Sequence, residues 1–205
     1  MSQPNSDKKS LRAAALKARD AIDPEYAKMA GPEVAKHLLQ CIPTLAKVIG
    51  GYYAMRSEIN IGEAMVLLAQ RGHVLCLPVI VKDNAPLAFR TWKPGGALEK
   101  GMYGTEIPLA MQPPQIPDAV IVPLVAFDKA GHRLGYGAGF YDQTICRLRE
   151  QQKDVMIVGV GFAAQQIGLL QRRNGSISAA PSHGTRGCFT PRSCRADRSP
   201  SRQLR

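Results

Sequence analysis

The chain of 205 residues is long enough for one domain with an appendage, and 45% of its residues are hydrophobic, which suffices for a buried core. No apolar run approaches the ~18 residues of a membrane span, and no signal peptide is visible, so we expect a cytoplasmic protein with no membrane partner. The net charge of +11 looks like nucleic-acid affinity, but residues 171–205 supply +7 and leave +4 for residues 1–170. We therefore expect neither DNA nor RNA as a partner of residues 1–170.

Helical and strand patterns alternate along the chain. Helices are predicted over residues 8–22, 24–42 with an interruption at Gly31-Pro32, 64–70 and 141–151. Strands are predicted over residues 48–55, 73–81, 86–92, 119–127 and 154–160, and residues 101–117 are predicted to be a connection with little regular structure. Because most of these strands are apolar throughout, we predict an α/β fold with a mostly parallel sheet covered on both faces.

The first predicted helix has an apolar stripe and a basic face. The stripe consists of Leu11, Ala15, Ala18 and Ile22. Lys8, Arg12 and Arg19 lie close together on a neighbouring face. Two interpretations stay open from spacing alone: a solvated basic face, or a helix whose Lys8 and Arg12 reach over an anionic ligand.

Residues 120–142 contain the strongest motif of the sequence. An apolar run ends at Asp128, and Arg133 is followed by glycines at the alternate positions 135, 137 and 139, directly before a predicted helix. Glycine lets the backbone approach an anion closely, and N–H groups at a helix start can bind phosphate oxygens. We hypothesise a polyphosphate here, with Arg133 as its charge partner and Asp142 or Asp128 near a divalent cation.

The glycine loop admits several interpretations. A purely structural turn between a strand and a helix is one. A dinucleotide site requires Gly-x-Gly-x-x-Gly and an acid after the next strand, but the third glycine comes one position early and Gly161-Phe162-Ala163 contains no acid. A Walker loop requires Gly-Lys-Ser/Thr, which does not follow. A phosphate loop of another kind remains.

The loop and its flanks carry a resemblance to a known family. Residues 133–142, Arg-Leu-Gly-Tyr-Gly-Ala-Gly-Phe-Tyr-Asp, resemble the signature of the 5-formyltetrahydrofolate cyclo-ligases. Lys8-x-x-Leu11-Arg12 with Arg19, Ser57-Glu58-Ile59, Trp92 and residues 158–163 fit as well. The resemblance covers about residues 7–170 and implies a single-domain three-layer α/β/α sandwich. It also implies ATP- and Mg2+-dependent conversion of 5-formyltetrahydrofolate to 5,10-methenyltetrahydrofolate, by phosphorylation of the formyl oxygen.

Site residues are implied by the same resemblance. ATP would be bound by Lys8, Lys9, Ser10, Leu11, Arg12, Arg133, Leu134, Gly135, Tyr136, Gly137, Ala138, Gly139, Phe140 and Tyr141. The folate would be bound by Tyr53, Glu58, Tyr136, Gly137, Ala138, Gly139 and Phe140. Arg133 and Tyr141 are the expected catalytic residues, and Asp142 is the expected magnesium ligand. We expect a monomer, and we interpret Trp92 as a core or loop anchor rather than a stacking partner of the pterin.

Residues 171–205 differ in composition from the rest. They contain eight arginines, no lysine and one acid, Asp197, without an apolar period. We predict a disordered tail that begins after residue 170. Either it is an RNA-binding or interaction tail, or the reading frame changes near Leu170; we favour the frame change, which resequencing the 3′ end of the gene would test.

The family resemblance implies a further strand and a late Asp that helps to bind magnesium, and nothing in residues 171–205 matches them. Three alternatives to an active cyclo-ligase therefore stay open. They are an inactive truncated family member, a nucleic-acid-binding α/β protein that uses its basic tail, and another ATP-dependent kinase or ligase that shares the loop.

Overall fold

The computed structural model of the chain describes residues 4–151, 154–168, 170, 178–181 and 188–192. Its helices are α1 (Pro4–Asp20), α2 (Pro24–Cys41), α3 (Gly62–Gln70) and α4 (Phe140–Gln151). Its strands are β1 (Val48–Gly50), β2 (Val74–Val79), β3 (Ala88–Thr91), β4 (Leu98–Lys100), β5 (Glu106–Pro108), β6 (Pro114–Gln115), β7 (Ala119–Pro123), β8 (Ala126–Phe127), β9 (Arg133–Leu134), β10 (Met156–Val160), β11 (Ser178–Pro181) and β12 (Cys188–Arg192). Short 3-10 helices span Met102–Gly104 and Ala163–Gln165. Among the described helices, none is long and apolar enough to cross a membrane.

One eight-stranded sheet organises the chain, in the order β11-β12-β10-β7-β1-β2-β3-β6. The four central strands are parallel, with Ile49 of β1 opposite Leu75 of β2 and Ala119 of β7, and Val158 of β10 opposite Ile121. The flanking strands β3, β6, β11 and β12 pair antiparallel. Parallel strands end at the same edge of a sheet, so the segments that follow the central strands meet there.

Helices cover both faces of the sheet. Alternate residues of a strand point to opposite faces, and Ile121 packs in one cluster with Leu38 of α2 and Leu68 of α3. Its neighbour Val120 packs in a second cluster with Ile145 of α4. All five residues of β7 are buried, as expected for a strand covered on both sides. The predicted α/β class with a parallel central sheet is confirmed.

Local details differ from the predicted elements. Helix α2 continues through Pro32 instead of breaking at Gly31-Pro32; tertiary packing of Val34, Ala35 and Leu38 outweighs the loss of one N–H donor. The stretch predicted as an irregular connection contains the β4–β5 hairpin and β6. Tertiary packing decides the first outcome and long-range strand pairing decides the second, and a local sequence pattern contains neither.

Two segments of residues 171–205, the stretch predicted to be a disordered tail, form strands of the sheet. Strand β12 pairs antiparallel with β10, with Val160 opposite Cys188, and β11 pairs with β12. Without β12, strand β10 would be an edge strand with unpaired N–H and C=O groups. Because these backbone groups are the same in every residue, segments of many different sequences can pair with them. The other residues of this stretch lie outside the described residues, and the domain boundary at residue 170 stays a prediction.

The buried carboxylate of Asp128 joins the segments after β8 and after β10. Asp128 is 1% exposed, and it accepts hydrogen bonds from His132 N (2.9 Å), His132 Nδ1 (2.9 Å) and Leu170 N (2.9 Å). Burial alone would raise the pKa of Asp128, but the hydrogen bonds from Leu170 and His132 outweigh it and hold the pKa below its ordinary value. The carboxylate thereby fixes the turn that leads into Arg133.

We expect Asp128→Asn to destabilise the protein by roughly 1–3 kcal/mol, because an amide cannot accept all three hydrogen bonds and leaves buried donors unpaired. Since the pKa of the folded state lies below that of the unfolded state, the contribution of Asp128 to stability is present above the unfolded-state pKa. It is lost as the pH falls through the folded-state pKa. Urea unfolding of both proteins between neutral pH and about pH 3 measures the difference.

The exposed acid Asp154 provides the matched control, because Asp154→Asn changes the same charge without removing a buried acceptor. This account of the buried carboxylate would be contradicted if the free energies of unfolding of Asp128→Asn and of the unsubstituted protein differed by the same amount from neutral pH to about pH 3.

Candidate active site

A cavity of about 770 Å³ opens at the carboxyl ends of the central strands. Its walls come from α1, the segments after β1 and β2, residues Thr105 and Glu106, Pro123 at the end of β7, and the continuous stretch Arg133 to Asp142. In α/β sheets, ligands usually bind at this edge. The glycine loop therefore forms the wall where a ligand is expected.

The glycine loop has a backbone conformation that only glycine adopts readily. Gly137 has φ +111° and Gly139 has φ +75°, and Gly139 O accepts the hydrogen bond of Gln143 N at 3.0 Å. Helix α4 begins at the next residue, Phe140. The N–H groups of its first turn and the positive end of its dipole lie at the cavity wall, because Phe140, Tyr141 and Asp142 line the cavity.

Arg133 is the buried cation beside this helix start. Its Nη2 donates to Asp142 Oδ1 at 2.5 Å, and its guanidinium lies 5.9 Å from the centre of the Tyr141 ring. Burial lowers the pKa of Arg133, although the Asp142 carboxylate acts in the opposite direction. Burial also raises the pKa of Tyr141, which Glu58 raises further, so the phenol stays protonated at neutral pH. Arg133 Nε is buried and has no hydrogen-bond partner among the described residues.

Helix α1 brings further positive charge to the loop. Arg12 Nε donates to Gly135 O at 2.8 Å across 123 positions of sequence, and a Cβ built on Gly137 would lie 3.4 Å from Arg12 Cζ. Lys8, one turn before Arg12, also lines the cavity. Three cationic side chains and a helix N-terminus thus surround one end of the cavity.

The other end of the cavity presents a carboxylate and tyrosines. Tyr136 OH donates to Glu58 Oε1 at 2.6 Å, and Glu58 Oε2 accepts from Met55 N at 2.9 Å. Burial, the Glu58 hydrogen bond and the Glu58 charge raise the pKa of Tyr136 to about 12, and Arg19 partly offsets the increase. Tyr52 and Tyr53 complete this end, and Tyr52 OH donates to Ile59 O at 2.8 Å.

Most of the predicted site residues meet in this cavity. Lys8, Arg12, Tyr53, Glu58 and every residue from Arg133 to Asp142 line it. Lys9, Ser10 and Leu11 are exposed and do not line it, because the 3.6-residue turn of α1 places them on other faces. Trp92 donates its ring N–H to Gly96 O at 3.2 Å and packs beside the core, away from the cavity lining.

Several lining residues were missed by reasoning from the sequence. They are Tyr52, Met55, Pro78, Ile80, Leu87, Thr105, Glu106 and Pro123. Position at the carboxyl end of a predicted strand could have indicated Ile80. Thr105 and Glu106 reach the cavity only through the β4–β5 hairpin, which local sequence did not reveal.

Known proteins resemble this chain in sequence and in structure. The model of the 5-formyltetrahydrofolate cyclo-ligase family matches residues 4–170. A 5-formyltetrahydrofolate cyclo-ligase of Haemophilus influenzae is 31% identical over 140 residues, covering 65% of this chain and 74% of that protein. The one of Mycolicibacterium smegmatis is 31% identical over 149 residues, covering 67% of this chain and 74% of that protein. The 5,10-methenyltetrahydrofolate synthetase of Aquifex aeolicus superposes with a TM-score of 0.67 at 25% identity, covering 83% of this chain and 86% of that one.

The fold and these relatives define an α/β ligase. The family match extends over most of the chain and includes the whole glycine loop. The chain belongs to the 5-formyltetrahydrofolate cyclo-ligase family.

We expect Gly137→Ala to destabilise the protein by roughly 1–3 kcal/mol, because an L side chain is strained at φ +111°, whereas the added methyl group itself would make only ordinary contact with Arg12. Urea unfolding measures the loss. Gly135→Ala is the matched control in the same loop, because Gly135 lacks a positive φ and its Cβ would meet only Arg133 Nη1, at 3.6 Å. Equal losses at both positions would contradict a specific backbone requirement at Gly137.

Proposed function

We propose that the chain catalyses the ATP-dependent conversion of 5-formyltetrahydrofolate to 5,10-methenyltetrahydrofolate, with release of ADP and phosphate. The observation that carries this proposal is a single cavity with two chemically different ends. One end has Lys8, Arg12 and Arg133 around a glycine loop, and the other has Glu58 with tyrosines. The family membership names the reaction, and the two ends suit its two substrates.

The cationic end suits the triphosphate of ATP. Backbone N–H groups at the start of α4 can bind phosphate oxygens, and Arg133 and Arg12 can neutralise charge. Their positions are fixed before a ligand binds, by the bonds from Arg133 to Asp142 and from Arg12 to Gly135 O. Groups held in place in advance can stabilise developing charge without reorganising, which is the main requirement of phosphoryl transfer.

The opposite end suits a folate. Glu58 can accept hydrogen bonds from ring N–H groups, and Tyr53 and Tyr136 offer aromatic surface beside it. Tyr136 belongs to both ends, because its backbone lies in the glycine loop and its hydroxyl is bonded to Glu58. A folate bound at this end would lie next to the glycine loop, because Tyr136 belongs to that loop.

The reaction needs an activated formyl oxygen. In the proposed first step this oxygen attacks the γ-phosphorus of ATP, and the bond from that phosphorus to the oxygen bridging to the β-phosphate breaks, so ADP leaves. Next, N10 of the folate attacks the activated carbon and loses its proton. Phosphate then departs with the electron pair of the carbon–oxygen bond. Arg133 would stabilise the transferred phosphoryl group, and the protonated Tyr141 beside it could donate a hydrogen bond.

The residues present fit a magnesium ion that is bound mainly by phosphate oxygens and water. Among the described residues no group of three or more His, Cys, Asp or Glu side chains could hold a metal. Asp142, whose side chain is 59% exposed, offers one carboxylate at the cavity wall, and Mg2+ at nucleotide sites commonly uses one or two. When bound, the ion would neutralise phosphate charge.

The assay follows the growth of methenyltetrahydrofolate absorbance from 5-formyltetrahydrofolate. We expect this absorbance to increase only when both ATP and Mg2+ are present. Because residues 171–205 do not match the family pattern, the assay is run in parallel on a version with a C-terminus repaired to that pattern. No turnover by the repaired version would contradict the proposal.

We expect Asp142→Asn to raise the Mg2+ concentration required for half-maximal rate by roughly tenfold or more, because a neutral amide is a weak ligand for Mg2+ and also releases Arg133. Glu150→Gln is the matched control, because Glu150 is an exposed acid near the other end of α4. An unchanged Mg2+ dependence in Asp142→Asn would remove Asp142 from the proposed metal site.

A further inference from the structure

Arg19 of α1 is a buried cation that lies behind the folate end of the cavity. It is 1% exposed, and its Nη1 and Nη2 atoms have no hydrogen-bond partner among the described residues. It is not one of the residues that line the cavity. A ligand in the cavity therefore meets Arg19 only through its neighbours.

Those neighbours are the residues that carry the folate end. Arg19 Nε donates to Ser57 Oγ at 2.9 Å, and Ser57 Oγ donates in turn to the Asp20 carboxylate. The Arg19 guanidinium lies 5.6 Å from the centre of the Tyr136 ring, and Tyr136 is the residue bonded to Glu58. Arg19 thus acts on the Glu58–Tyr136 pair by two routes. It donates a hydrogen bond to Ser57, the residue before Glu58, and its guanidinium lies over the Tyr136 ring.

The turn that holds Glu58 is closed by hydrogen bonds between Met55 and Glu58 and contains a residue with positive φ. Glu58 N bonds to Met55 O at 3.1 Å, and Arg56 inside this turn has φ +54°, a strained value for a residue with a side chain. Such a turn persists only when its surroundings hold it. The bond from Arg19 to Ser57 is a tertiary contact that does so from α1.

Burying this charge is expensive for the fold. A buried guanidinium with unused donors loses hydration that its contacts do not fully replace, and an apolar side chain of similar size would cost less. A stability role alone therefore does not account for Arg19. A cation at this point does act on the phenol of the folate end, since Arg19 offsets part of the increase in the pKa of Tyr136.

The position of Arg19 on α1 relates it to the other end of the cavity. Arg12 and Arg19 are seven residues apart, which places them on one face of the helix about 10 Å from each other. Arg12 holds the glycine loop through Gly135 O, and Arg19 holds the Glu58 turn through Ser57. One rigid helix therefore sets both ends of the cavity at a fixed separation.

We propose that Arg19 is a positioning residue for the folate, which holds the Glu58 turn and the Tyr136 ring in the geometry that binds it. This inference rests on the proposed function. Arg19 does not touch either substrate; it acts through Ser57 and Tyr136. Its loss should therefore weaken the folate end selectively and leave the ATP end intact.

The test compares Arg19→Met, Arg19→Lys and the control Lys17→Met by steady-state kinetics in both substrates. Lys17 is an exposed cation on the same helix, so Lys17→Met removes the same charge from α1 without touching the cavity. For Arg19→Met we expect the KM for 5-formyltetrahydrofolate to rise about tenfold or more, the loss expected for one well-placed charged contact. We expect the KM for ATP to stay within about twofold, and Lys17→Met to leave both constants unchanged.

Arg19→Lys keeps the charge but not the fork of donors, and we expect an intermediate KM for the folate. If Arg19→Met fails to fold, two other variants replace it: Arg19→Lys and Ser57→Ala, which removes the hydroxyl that Arg19 holds. For both we again expect a higher KM for the folate. Equal increases in both KM values would show a merely structural role and overturn the inference. A lower kcat together with a lower thermal unfolding midpoint, at unchanged KM values, would do the same.

A binding titration of 5-formyltetrahydrofolate without ATP separates this inference from the proposed function. If the protein binds the folate but does not turn it over, the reaction is wrong, and a weaker Kd in Arg19→Met still supports the positioning role. If turnover is normal and Arg19→Met keeps the folate KM, the inference alone is wrong. If the unsubstituted protein with a repaired C-terminus neither binds nor converts the folate, both are wrong.

Discussion

The hydrogen bonds accepted by the buried carboxylate of Asp128 connect the sheet to the candidate site. They hold the turn between β8 and β9 closed through His132, and they attach the segment after β10 through Leu170 N. The same segment contacts the strand beside it, since Ile167 N donates to Phe127 O at 2.8 Å and the buried Gln165 side chain donates to Leu124 O. Arg133 and the glycine loop follow this turn directly, so their direction into the cavity depends on it.

The cavity gains its chemistry from segments far apart in sequence. The loop and the start of α4 are contiguous, but Arg12 comes from the first helix and Glu58 from the segment after β1. Tyr136 connects the two ends, because it belongs to the loop and bonds to Glu58. A ligand that fills the cavity would therefore contact elements that the chain brings together only in the complete sheet.

Sequence reasoning identified much of the cavity wall where the signal is local. The glycine loop, Arg133, Asp142 and the helix behind them form one uninterrupted stretch, and helical spacing alone put Lys8 and Arg12 on one face. It failed where tertiary structure decides: Arg19 shares that basic face by spacing, yet it is buried under Tyr136 rather than solvated. Likewise Thr105 and Glu106 reach the cavity through a hairpin, and β12 joins β10 through backbone pairing that composition did not indicate. Solvation and long-range pairing are properties of the folded chain, which short patterns do not encode.

The contact between Arg12 and Gly135 joins residues 123 positions apart, and this separation has a consequence for synthesis. At typical translation rates, roughly 6–25 s pass between the appearance of the helix and that of its partner loop. Throughout that interval α1 has no glycine loop to dock on, so Arg12 lacks its native partner. Helix α1 is therefore made well before it can reach its native position, and the two ends of the cavity acquire their spacing only after the glycine loop has been synthesised.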